Sequence, residues 1–367
     1  MPAIAQRRLL IHATNVTGLG ALQVVESLLL GMATEHKLTG AVVLLPEDGL
    51  AIEQPLLDAG AEVFPWRRRL PNSISRFVEC LVARRDFTKY HRVLVLGDVP
   101  LPGVRRQVVL MHQPNLISPK VTGLPDSDGR YRIMRALFRR NLPGVDRVVV
   151  QTEPMREQLT MSYPESKGRV EVIPQPVPHW FTSRRSPRDA RPRGRLRLFY
   201  PAASYPHKNH SLLGRMDRIA DHVPAEIVVT LTDAETAMLS TTPEWVRRVG
   251  RLSTADCLST YDDVDGLFFP SLRESYGLPL VEAMTSGLPI VCADLPYARW
   301  LCGPEAVYFD PQDASDAWEA IGTLRRRLDA GWQPDWKPML GMLPQSWGEV
   351  ARGFATLLGD GGGGIGR

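Results

Sequence analysis

The sequence predicts an α/β protein built of two consecutive Rossmann-like domains, each a parallel sheet covered by helices on both faces. Three observations lead there. Short apolar, β-branched runs alternate with longer amphipathic segments along the chain, the pattern of repeated strand–helix units. The runs are continuously apolar rather than alternating, as strands buried on both faces are. At 367 residues the chain also exceeds what one core comfortably holds, so two domains are the first expectation.

In the first half the strand-like runs are LLIHA (9–13), AVVLL (41–45), RVLVL (92–96), QVVLM (107–111), RVVVQ (147–151) and VEVIP (170–174). In the second they are RLFYP (197–201), EIVVTL (226–231), GLFFP (266–270), PIVCA (289–293) and AVYF (306–309). Between the halves lies FTSRRSPRDARPRGRLR (181–197), with seven Arg and one Asp, a composition shift that reads as a linker. Residues 1–180 carry 23 Lys/Arg against 17 Asp/Glu, and residues 198–367 carry 14 against 22, so a basic half precedes an acidic one. The expected domains are therefore 1–180 and 198–343. A capping box, SWGE (346–349), opens a last helix over 344–359 that crosses back, and the glycine-rich tail 360–367 buries nothing.

Hydrophobic content of 44 % and charged content of 23 % are those of a soluble globular protein. The four cysteines are far apart and form no CxxC pair, which argues against a zinc ribbon or a disulfide framework and fits a reducing cytosol. No run reaches the roughly eighteen apolar residues of a membrane span, and the N-terminus lacks the apolar core of a signal peptide. A cytoplasmic protein is expected, resting at most on the inner face of the membrane.

The most specific local pattern is PSLRESYGLPLVEAMTSGLPIV (270–291), a loop between a buried strand and a helix, with Pro279 in the first helical turn and Gly287 as the stop. Amides around Ser275–Pro279 point out of the helix start, where the dipole adds roughly half a positive charge, so a diphosphate fits there. Glu274 in the loop and Glu282 in the helix each offer two acceptor oxygens, matching the vicinal diol of a sugar. The pair alone favours the plainer reading, in which Glu282 complements the helix dipole, worth ~0.3–1 kcal/mol, and Glu274 is solvated.

The wider segment ADCLSTYDDVDGLFFPSLRESYGLPLVEAMTSGLPIVCADLPYARWLCGPEAVYFDPQD (255–313) resembles the donor-binding half of family 4 glycosyltransferases. These are retaining, nucleotide-sugar-dependent enzymes of the GT-B fold with a Glu-x7-Glu signature. The resemblance implies two Rossmann-like domains facing across a cleft, the N-terminal one binding the acceptor and the C-terminal one the donor. It implies that Glu282 takes the ribose hydroxyls and Glu274 faces the donor sugar. Backbone amides near Ser275, Tyr276, Gly277 and Leu278 then meet the sugar and diphosphate.

Other segments are weighed against that reading. PAASYPHKNH (201–210) carries Lys208, one of only six lysines, at a strand-to-helix junction where it can neutralise a leaving diphosphate; PHKN resembles the family's phosphate-binding lysine segment. Many members have an Arg five residues earlier, where this chain has Ala203, so the diphosphate contacts are either fewer or supplied by Arg251 in VGRLS. Gly18 and Gly20 in NVTGLGALQVVESLL (15–29) open a helix after the first strand, but the third glycine of GxGxxG is missing, which disfavours a nicotinamide-dependent oxidoreductase. By resemblance this loop approaches the donor diphosphate; a plain helix-capping turn explains it as well. His112 follows a strand at its carboxyl end, and the resemblance makes it a donor-sugar contact. DSD (126–128) and DVD (263–265) spell a metal-binding DxD, but two spaced Asp recur by chance and the fold requires no metal, so none is expected. FPWRRRLP (64–71) and RYRIMRALFRR (130–140) combine Arg with apolar residues and suit an anionic membrane surface, or else form solvated basic faces. No nucleic-acid motif is present.

The expectation is a metal-independent retaining hexosyltransferase that takes a UDP-, GDP- or similar nucleotide sugar and no other cofactor. Its acceptor would be a glycan or lipid-linked glycan of O-antigen, lipopolysaccharide or exopolysaccharide synthesis. The alternatives are a nucleotide-sugar epimerase or hydrolase on the same fold and a non-catalytic binding subunit. The expected catalytic residues are Glu274, Lys208 and His112, with Glu282, Ser275, Tyr276, Gly277, Leu278, Gly18, Gly20 and Arg251 on the donor.

Overall fold

A computed structural model describes residues 8–16, 18–46, 50–66, 72–123, 129–181, 194–219, 225–237 and 243–359. The chain divides into two units, one of Met1–Pro178 with Pro344–Arg367 and the other of His179–Leu343. The DSD segment, the tail 360–367 and residues 182–193 of the expected linker lie outside the described residues.

The first unit is a seven-stranded, wholly parallel sheet. Its strands are β1 (Leu9–His12), β2 (Val42–Leu45), β3 (Glu62–Pro65), β4 (Arg92–Val95), β5 (Gln107–Leu110), β6 (Val145–Val150) and β7 (Val170–Val172). Their spatial order is β3-β2-β1-β4-β5-β6-β7, with Leu10 opposite Val42 on one side and Val93 on the other. The second unit repeats the plan with β8 (Leu196–Tyr200), β9 (Ala225–Val229), β10 (Val246–Arg248), β11 (Gly266–Phe269), β12 (Ile290–Ala293) and β13 (Val307–Phe309), ordered β10-β9-β8-β11-β12-β13. Both are doubly wound sheets whose order reverses once, between β1 and β4 and between β8 and β11. Such a reversal leaves a crevice at the strands' carboxyl ends.

The central strands β2, β5, β11 and β12 are buried at every residue, as their continuous apolar runs required. In the second unit Phe268 and Phe309 stack at 5.4 Å across the sheet face. The sequence reading missed β3 and β10. Both are sheet edges, and their outer residues are exposed (Phe64 and Pro65; Arg247 and Arg248), so neither carries a fully apolar run. β8 begins at Leu196, two residues inside the stretch read as linker.

The Trp347–Leu357 helix belongs to the first unit and packs on the Leu19–Thr34 helix. The approach is so close that a side chain at Gly31 would run into the Trp347 carbonyl. Trp347 Nε1 donates to the Val177 carbonyl at 2.8 Å, and Arg352 pairs with Glu35. Ser346 caps the helix by accepting from the Glu349 amide, but Glu349 reaches back to the Gln345 amide rather than to that of Ser346. The expected capping box is thus displaced by one residue on its return bond.

Candidate functional site

At the carboxyl ends of the second unit's strands, four loops carry the polar side chains. The loop after β8 enters a short 3-10 turn, Pro206–Lys208, and then Asn209, whose φ of 57° places it in the left-handed region. Asn209 Nδ2 donates to the carbonyls of Pro270 and Pro311, and the Leu272 amide donates to the His207 carbonyl at 2.7 Å. The Pro270 and Leu272 bonds sew the loop after β8 to the loop after β11, across the point where the strand order reverses, and the Pro311 bond ties it to the loop after β13. Lys208 Nζ lies 2.5 Å from Glu274 Oε1 in an ion pair mostly withdrawn from solvent. The Tyr200 hydroxyl donates to the Lys208 carbonyl and fixes the turn from below.

His207 and His210 flank Lys208 in the chain. His207 stacks on Tyr205 with rings nearly parallel at 5.6 Å, and His210 stacks on Tyr200 at 4.8 Å. Burial pushes the pKa of each histidine down to about 4; Glu274 partly opposes this for His207 and Lys208 adds to it for both. Both imidazoles are therefore neutral at pH 7, leaving Lys208 as the cation of this turn.

The helix after the loop is Leu278–Thr285. Gly277 caps it with φ 101°, a conformation that L side chains rarely adopt, and an added Cβ would press on Leu280 Cδ1 at 3.1 Å. Proline occupies the first turn, as expected. The amides of Gly277 and Leu278 have no partner among the described residues, so they form an open donor pair at the helix start. The far end closes in a Schellman motif, with Gly287 N bonded to Met284 O and Leu288 N to Ala283 O.

Glu282 lies on the buried side of that helix. The Tyr261 hydroxyl donates to its Oε2 at 2.7 Å. Burial pushes the Glu282 pKa up to about 7, with the Tyr261 bond pulling it down. Glu282 was read from sequence as an ionised acceptor; the structure makes it a carboxyl poised between its two forms at neutral pH.

Arg251, after β10, pairs with Glu235 Oε1 at 2.6 Å. The same oxygen accepts the Ser204 amide at 3.1 Å, while Oε2 accepts the amide and hydroxyl of Thr232. Burial raises the Glu235 carboxyl, but the Thr232 and Ser204 bonds and Arg251 outweigh it and hold the pKa low. Glu235 therefore ties Arg251 to the loop that bears Lys208. Nothing in its sequence neighbourhood singled it out, because its partners are 3, 16 and 31 residues away.

In the DVD segment, Asp265 Oδ2 accepts the Arg197 amide at 2.9 Å, where β8 and β11 begin. That is the amino end of the strands, opposite to the loops just described, and the bond gives Asp265 a structural use.

The first unit holds the remaining expected residues. Gly18 caps the Leu19–Thr34 helix in ordinary extended backbone, and an added Cβ would meet only Ala21 at 3.9 Å. Neither backbone strain nor packing demands glycine there. Gly20 lies in the first turn of that helix. His112 follows β5 with its amide bonded to Asp98 Oδ1 at 2.7 Å and its Nε2 3.6 Å from Asp98 Oδ2. Asp98 was missed in the sequence; its φ of 69° and its bond to the Gln113 amide bind the loops after β4 and β5. The basic helix is formed as Arg130–Asn141, but Arg135, Arg139 and Arg140 donate to the carbonyls of Asn115, Ser162 and Leu81. Much of its charge thus serves the fold.

Two doubly wound parallel sheets, with these loops at the strand ends of the second, define the GT-B class of α/β proteins. Residues 202–326 match the family described as Glycosyl transferases group 1. The structure of Anabaena Alr3699/HepE in complex with UDP superposes with a TM-score of 0.62 over 97 % of this chain and 100 % of that one, at 15 % identity, a likeness of fold. Among curated proteins, O-antigen chain mannosyltransferase RfbU of Salmonella typhimurium is 28 % identical over 134 residues, 35 % of this chain and 38 % of that protein. O-antigen chain mannosyltransferase B of Escherichia coli is 29 % identical over 93 residues, 22 % of this chain and 24 % of that protein. The matched segments thus span less than half the length of either relative.

Proposed function

We propose that the protein is a retaining glycosyltransferase that moves a hexosyl group from a nucleotide diphosphate sugar to a hydroxyl of a glycan or lipid-linked glycan in O-antigen or lipopolysaccharide synthesis. The observation that carries this is the Lys208–Glu274 pair beside the open amides of Gly277 and Leu278, within the segment that matches the glycosyl transferase family. In this reading the diphosphate takes the two amides and Lys208, whose positive charge offsets the charge that develops as the sugar–phosphate bond breaks. Lys208 is held for that task by Glu274, which then faces the sugar. Glu282 accepts from the ribose diol, and Arg251, steadied by Glu235, supplies the charge absent at Ala203. The acceptor oxygen bonds to the anomeric carbon on the face the diphosphate leaves, and the departing phosphate oxygen takes the acceptor's proton. No metal enters this scheme. The acceptor is assigned to the first unit, and a lipid-carried acceptor puts the protein at an anionic membrane surface.

The names of the relatives make mannosyl donors the first to test, and the HepE complex adds UDP. Thermal melts with UDP, GDP and ADP should show one diphosphate stabilising the protein, by about 2.7 kcal/mol at a hundredfold excess over Kd. Glu282→Ala should remove that shift. Glu274→Ala should keep it and lose transfer to acceptor. No shift with any diphosphate, or wild-type behaviour in both variants, would overturn the assignment; sugar release without acceptor would instead mark a hydrolase.

A further inference from the structure

The Asn72–Leu81 helix of the first unit is amphipathic with its faces reversed. Ile74, Phe77, Val78 and Val82 fall at helical spacing on one side, and their exposures run from 37 % to 52 %. Glu79 and Cys80 point the other way and are buried. Glu79 is held there by polar bonds: His12 Nε2 lies 3.0 Å from its Oε1, and the Thr14 hydroxyl donates to its Oε2 at 3.3 Å. Asn141 Nδ2 donates to the Cys80 carbonyl at 2.8 Å. Turning the helix to bury its apolar side would break all three contacts. The fold therefore pins an apolar stripe outward, which a monomeric soluble surface rarely does.

The charge around the stripe says what it meets. Among the described side chains of residues 77–92, the bases are Arg84, Arg85, Lys89 and Arg92, and the acids are the buried Glu79 and Asp86, which lies 3.6 Å from Arg84. At the helix's C-terminal end, Arg140 donates to the Leu81 carbonyl, and Arg84 stacks 4.9 Å above the Trp66 ring, both on the exposed surface. Arg85 and Lys89 are exposed beyond them. An apolar stripe with a cationic rim matches the boundary of a bilayer with anionic headgroups, where rings and branched chains enter the acyl region and arginines meet phosphates.

We propose that the Asn72–Leu81 helix is the membrane-docking element, inserting Ile74, Phe77, Val78 and Val82 into an anionic lipid surface. This relocates the contact from the basic Arg130–Asn141 helix, whose arginines largely serve the fold. The proposal rests on the reading that the acceptor is carried by a lipid.

The test is flotation of the full chain with phosphatidylcholine vesicles, with and without phosphatidylglycerol, at low and high salt. The protein should float only with phosphatidylglycerol and be released by salt. Phe77→Ser with Val78→Ser should weaken vesicle binding by about tenfold or more, with the melting temperature and the nucleotide-induced shift unchanged, since both side chains are exposed. Arg84→Glu should also weaken it. The proposal is overturned if wild type ignores anionic vesicles or if the double variant floats as wild type does. A dimer that the double variant converts to monomer, without vesicle binding in wild type, would assign the stripe to a second copy instead. Flotation needs neither donor nor acceptor, so its failure would leave the nucleotide shift intact, and the reverse outcome would spare the docking helix.

Discussion

Glu282 illustrates how burial sets the state of a single carboxyl. A free glutamate ionises near pH 4.3, but burial in the second unit pushes Glu282 up to about 7, against the pull of the Tyr261 hydroxyl. Cys257 beside it is pushed up to about 12 by burial and by the Glu282 charge, so it offers no competing anion. If the ribose diol donates to Glu282, the ionised form binds and the protonated form must first release its proton. Nucleotide affinity should therefore be constant above pH 7 and fall by about tenfold per pH unit below it, one proton's linkage. Tyr261→Phe removes a bond that lowers the pKa, so the break in the profile should move to higher pH. Titration calorimetry from pH 5.5 to 8.5 checks both; a flat profile in wild type would separate Glu282 from the nucleotide. Glu274 and Glu282 were legible as a pair from their spacing. The raised pKa of Glu282 was not, because its cause is burial, opposed by the hydroxyl of Tyr261, and both arise only after folding.

At the scale of elements, the Leu278–Thr285 helix is read from sequence almost completely, since Pro279 starts it and Gly287 ends it by local chemistry. Under the proposed function, Gly277 is where local and ligand demands coincide. Its φ of 101° excludes a side chain at little cost only for glycine, and the open amides of Gly277 and Leu278 depend on that turn. Gly277→Ala should cost about 1–2 kcal/mol of stability from the backbone alone. It should also weaken diphosphate binding more than the stability loss explains, as the amides shift. Urea unfolding beside nucleotide titration separates the two; unchanged affinity with lowered stability would show that the amides have no ligand role. Edge strands β3 and β10 escaped notice for the opposite reason. Each has one unpaired side and exposed residues, so its identity as a strand comes from a neighbouring strand rather than from its own pattern. Glu235 and Asp98 escaped for the same kind of reason, being defined by loops that only the sheet order brings together.

At the scale of the whole molecule, the chain closes its first unit with its last helix. The Trp347–Leu357 helix buries Trp347, Val350, Ala351, Phe354 and Ala355, and it lies on the Leu19–Thr34 helix, an approach that needs the missing side chain of Gly31. Amphipathic patterning made the helix visible in the sequence; its partner, more than three hundred residues earlier, was not visible. The arrangement means that the first unit cannot be completed until nearly the whole chain exists, whereas the unit His179–Leu343 is continuous. Phe354→Ala should then cost about 3–5 kcal/mol, the usual range for a buried phenylalanine, and that loss should fall on the first unit. Deleting residues 344–367 should expose far more, enough to rival the ~5–15 kcal/mol by which domains are stable. Hydrogen exchange resolved by peptide gives the readout. Protection should collapse in β1–β7 and persist in β8–β13, and the diphosphate that stabilises wild type should still protect the loops bearing Lys208 and Glu274. Equal loss of protection in both sheets would show instead that the two units unfold as one, and that the loops bearing Lys208 and Glu274 depend on the returning helix.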